Sequence, residues 1–111
     1  VSRSESLAAY LRIQARRQLD RVESNDAGRN ARTALALLDA ALYADGLTDE
    51  DALVRMLDEA GCFGPDGCDD FDPGPEGVRL VRGWQGGEPY ELLLAIPAAM
   101  TASAQHAGEA P

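Results

Sequence analysis

The stretch VRLVRGWQGGEPYELLLAI, Val78 to Ile96, decides how the fold is read. Two short runs rich in Val, Leu and Ile flank Gln85-Gly86-Gly87-Glu88-Pro89. Branched and aromatic residues on either side of a Gly-Gly turn read as a β-hairpin, with strands over 78–84 and 90–96. Side-chain parity selects its register. A tight Gly86-Gly87 loop sets Leu80 against Leu93 and Val81 against Leu92, which splits the apolar set over both faces. A shift by one opposes Trp84 with Tyr90, Leu80 with Leu94 and Val78 with Ile96, gathering the large residues on one face. The longer loop is therefore expected, with Arg82 at a rim and Val81 and Leu93 pointing outward.

Working back along the chain, residues 61–77 read GCFGPDGCDDFDPGPEG, a Gly- and Pro-broken acidic loop. It holds both cysteines and five acids: Asp66, Asp69, Asp70, Asp72 and Glu76. Asp70 and Asp72 have the spacing that opens an EF-hand, but the position that needs Gly is Pro75 and the twelfth is Val81. A looser calcium loop would use the five acids together. Zinc wants four ligands, usually Cys and His, and the single histidine, His106, is far away. Cys62 and Cys68 are close enough in sequence for a small disulfide loop. Cys62 follows the negative end of a helix, which disfavours a thiolate, so a catalytic cysteine is not expected. The plain reading is a solvated connector with Cys62 and Phe63 tucked under the core.

Three helices precede this loop. Ser2 and Glu5 have capping-box spacing, and Leu7, Leu11, Ala15, Leu19 and Val22 share one face, predicting a helix over 3–23. Its arginines form either a solvated face or a basic recognition face. Asn25 or Asp26 would cap a second helix over 27–45 that ends on Gly46. Within it, TALALLDAALYA is apolar nearly all round, which suits a central helix or one facing a second subunit. Leu35, Leu38 and Leu42 are its interface candidates. Thr48 and Asp51 form a capping box for a third helix over 49–60, stopped by Gly61. Pro97 would close the hairpin, leaving 98–111 as a disordered tail.

The expected fold is therefore α+β: one domain over 1–97, three helices then an antiparallel hairpin, the element order of a winged helix. A lone hairpin is marginal, and its edges invite pairing, so a two-fold homodimer sharing a four-stranded sheet is expected.

Charge and chemistry narrow the function. The net charge is −9, divided into +3 over residues 1–32 (seven Arg against four acids) and −12 over residues 33–111 (three Arg against fifteen acids). The third helix of a winged helix would meet phosphates with the wrong sign, so nucleic acid is an unexpected partner. No apolar run approaches a membrane span and residues 1–17 lack a signal-peptide core, so a cytoplasmic location is expected. There is no lysine, which removes Schiff-base and Walker-type chemistry. No cofactor fingerprint is present and none is expected. Asp39, inside the apolar second helix, either titrates anomalously in a pocket or lies on an exposed strip. The leading expectation is a small acidic, non-catalytic interaction or regulatory protein that binds itself and another protein. One alternative is a small-molecule-binding or enzymatic accessory component, with Asp39, Tyr43, Trp84 and Tyr90 lining a pocket between the second helix and the hairpin. Another is an acidic DNA mimic.

Overall fold

The computed structural model describes residues 2–67 and 70–109, with side chains up to residue 102. Five helices follow one another: α1 (Arg3–Asp20), α2 (Arg29–Asp45), α3 (Ala52–Glu59), α4 (Gly74–Arg82) and α5 (Pro89–Glu109). There is no strand among the described residues. The hairpin, the α+β class and the winged-helix order are thus corrected to an all-helical fold.

The same residues explain why. On α4 the buried positions are Gly77 and Val81, four apart, and Leu80 and Trp84 pack partly against the core. On α5 Leu92, Leu93 and Ile96 are buried, with Met100 against the core a turn later. That spacing is helical, not alternating. Pro75 stands in the first turn of α4 and Pro89 is the first residue of α5. Proline is favoured there because the first helical N–H groups have no intrahelical acceptor. Pro97 does not end the last element; it lies buried inside α5, which continues to Glu109. Having no N–H, it leaves the Leu93 carbonyl without its bond from four residues on. Val81 and Leu93, expected to point outward, are core residues, and a dimer built by strand pairing has no edge to use.

The first three helices lie close to where their sequences place them, with different caps. Ser2 accepts the Glu5 N–H and caps α1, as the spacing predicts. Leu7, Leu11 and Ala15 are buried, but Leu19 and Val22 are exposed and the buried face instead continues through Gln14 and Gln18. Helix α2 starts on Gly28 rather than Asn25 or Asp26. Asp26 organises the turn before it, its carboxylate accepting the N–H groups of Glu23 and Gly28 and the Asn30 side-chain amide. Those bonds, that from Glu23 first, hold its carboxyl below the usual range. Asp51, not Thr48, caps α3 by accepting the Leu53 N–H. Asp49 reaches across to α1 and accepts the N–H groups of Arg3 and Ser4, both at 3.2 Å.

Helices α1 and α2 pack face to face and run antiparallel. Asn30 at the start of α2 donates to the Arg21 carbonyl at the end of α1, and Arg12 pairs with Asp45 further along. Their contact faces are rich in alanine: Ala8 and Ala15 on one side, Ala34, Ala40, Ala41 and Ala44 on the other. Helix α5 lies on α2, α3 and α4, and α1 also touches α4. One core joins them, built around Leu7, Leu11, Leu37, Leu57, Phe63, Val81 and Ile96. No helix among the described residues is long and apolar enough to cross a membrane.

Candidate functional site

The loop between α3 and α4 folds onto the helices. Cys62 and Phe63 are fully buried and Phe71 nearly so, with the Phe71 ring tilted against Tyr10 and edge-on to Phe63 at ring separations of 5.1 and 5.4 Å. Cys62 is a free thiol whose sulfur lies 3.5 Å from the Met100 thioether. Burial, reinforced by the nearby Asp72 and Asp58, pushes its pKa up to about 11, so it is no nucleophile at neutral pH. Its proposed disulfide partner Cys68 lies outside the described residues, as does Asp69.

Arg3 fastens the loop from the α1 side. Its guanidinium lies 3.7 Å from the Asp49 carboxylate and 3.4 Å from that of Asp58. A Cβ on Gly67 would come within 2.4 Å of this guanidinium, and the glycine has a left-handed φ of +69°, so a larger residue there would be strained and would displace Arg3.

The calcium candidates are dispersed. Asp72 accepts the Gly74 N–H at the start of α4, Glu76 pairs with Arg79 at 2.7 Å, and Asp70 borders a small pocket beside Tyr10. No three His, Cys, Asp or Glu side chains converge among the described residues. The pocket beside Tyr10 is about 200 Å³, lined by Ser6, Ala9, Ile13 and Phe71 besides. The Tyr10 hydroxyl is buried without a partner among the described residues, and burial raises its pKa.

The residues expected around a helix-2 pocket are scattered too. Asp39 and Tyr43 are exposed on the outer side of α2, and Tyr90 is exposed in the first turn of α5. Trp84 is half-buried, with its ring over Gly87. None of the four lines a cleft among those described here.

A cleft does form where the sequence offered no motif. The C-terminal end of α1, the start of α2 and the end of α4 meet around a space of about 510 Å³. Arg21, Arg29, Arg79 and Arg82 line it together with Gln18, Asn30, Gly83 and Gln85. Gln85, in the α4–α5 connection, holds these parts together. Its amide donates to the Arg29 carbonyl and the Thr33 hydroxyl, and its carbonyl accepts from Arg32. Two of the three arginines in the acidic stretch 33–111 are delivered to this one place.

Comparison with protein-family models, curated proteins and solved structures finds no match. Functional reading therefore rests on surface chemistry alone.

Two surfaces stand out. One is the arginine-lined cleft. The other is the outer face of α2. Leu35, Leu38 and Leu42 are 62, 37 and 68% exposed there, at the three- and four-residue spacing of a single helical stripe. The interface candidates on α2 thus lie on the surface together, whereas the two from the supposed hairpin do not. A shallower apolar groove between α3 and α5, lined by Met56, Leu94, Pro97 and Ala98, lies elsewhere on the surface.

Proposed function

We propose that the protein is a non-catalytic interaction protein that works as a two-fold homodimer, joined through the outer face of α2. The observation that carries this is the stripe of Leu35, Leu38 and Leu42, exposed on a helix whose other side is fully engaged in the core. Three leucines in one row form an apolar patch of the kind that marks association surfaces.

The stripe is also self-complementary. Arg32 lies at its N-terminal end and Asp45 at its C-terminal end, both exposed, with Asp39 in the middle. Two copies of α2 crossing antiparallel about a two-fold axis bring Leu35 onto Leu42 of the second copy. The same pairing brings Arg32 to the Arg12–Asp45 pair of the second copy at each end, so every contact occurs twice. A parallel pairing would oppose like charges. The acidic remainder of the chain favours partners that are neither nucleic acid nor anionic membrane.

Solution mass by light scattering coupled to size exclusion tests this. The dimer mass is expected for the wild-type chain, and the monomer mass for Leu42→Arg with its helical circular dichroism unchanged. A wild-type chain that stays monomeric at millimolar concentration would sink the proposal.

A further inference from the structure

We propose that the cleft between the end of α1, the start of α2 and the end of α4 binds a small phosphate-bearing anion. Four arginines from the ends of three separate helices line it, in a chain whose net charge is −9. Arg79 pairs with Glu76, while Arg21, Arg29 and Arg82 take part in no ion pair among the described residues. The ends of α1 and α4 each bring about half a negative charge from the helix dipole, and the start of α2 offsets one of these. The three arginines outside any ion pair among the described residues, Arg21, Arg29 and Arg82, still outweigh that remainder severalfold.

Gln18 adds a neutral polar group to the same wall. It is 3% exposed and lines the cleft, and its amide is not among the buried polar atoms left without a partner. A ligand oxygen in the cleft can replace water as its partner.

Size and sign select the ligand class. The volume falls within the range of small-molecule sites, roughly 300–1,000 Å³. Guanidinium forks match phosphate oxygens two at a time, and four of them exceed what one carboxylate can use. With four positive charges in the cleft, the rest of the chain carries −13 (−9 less 4). A nucleic acid extending past the cleft would meet that repulsion, whereas a small anion is shielded from it beyond about 8 Å at physiological salt.

The test is calorimetric titration of the full-length wild-type chain with inorganic pyrophosphate, and with citrate at matched ionic strength as a polycarboxylate. Saturable pyrophosphate binding is expected, weakened at least tenfold in Arg29→Gln/Arg82→Gln and unchanged in Arg55→Gln, whose arginine is exposed on α3. Absence of saturable binding, equal binding by the double variant, or tighter binding of citrate would each overturn the proposal. Amide chemical-shift mapping on the wild-type chain reads the same question without mutation. Shifts centred on Gln18, Arg29 and Arg82 are expected, and shifts centred elsewhere refute the site.

Discussion

At the scale of single residues, the buried thiol and phenol set the alkaline limit of stability. Cys62 titrates near 11 in the fold against 9.0 for the free group, and burial raises Tyr10 as well. Between these values the unfolded chain releases protons that the folded chain keeps. Their contribution is whole below pH 9 and is lost as pH rises through the folded pKa. Urea-unfolding stability should therefore fall between pH 9 and pH 11, and Cys62→Ala should flatten part of that fall. An unchanged slope in the variant would show that Cys62 is not protected. Asp39 teaches the reverse lesson. Its sequence position left Asp39 between a pocket and an exposed strip; the apolar run exceeds what one buried face of a helix can use, and the excess, Asp39 included, faces out.

At the scale of elements, the first three helices were legible because their signals are local. Capping residues, an apolar stripe and a terminal glycine all act within a few residues of one another. Residues 78–96 were not, because short apolar runs carry both periods at once. Val78, Leu80 and Arg82 alternate like a strand, while Gly77 and Val81 repeat like a helix. The branched residues and the Gly-Gly pair favoured the first reading. What decides for the second is tertiary: α4 and α5 can bury Val81, Leu92, Leu93 and Ile96 in one shared core. The two arrangements predict opposite mutational outcomes. Val81→Asp buries an unpaired charge and should cost more than about 3 kcal/mol or prevent folding. Leu94→Asp, partly exposed in the groove between α3 and α5, should cost much less, about 1 kcal/mol. A hairpin would reverse that order, so chemical denaturation of both variants checks it.

At the scale of the whole molecule, segments distant in sequence are fastened by single polar side chains. Asp49 caps the start of α1, and Gln85 joins the α4–α5 connection to the start of α2. Asp49→Ala removes two backbone bonds and one partner of Arg3 and should cost about 1–2 kcal/mol in urea denaturation, in the range of lost helix caps. A loss no larger than that of an ordinary surface substitution would show that the cap is idle. The arginine cleft belongs to this scale too, which is why no motif announced it. Its guanidiniums come from three helix ends, and in sequence each looks like an ordinary surface cation.

Gly86 and Gly87 themselves add no side chain to the core, although Trp84 before them packs against it. Both glycines are exposed, and a side chain at Gly86 would meet open space. Helix α5 is instead held by burial against α2, α3 and α4. The covalent link between the two glycines is therefore expected to be dispensable for cohesion. Nicked there, fragments 1–86 and 87–111 should reassemble on mixing and restore the helical circular dichroism of the intact chain; fragments that stay apart would show that the link is needed.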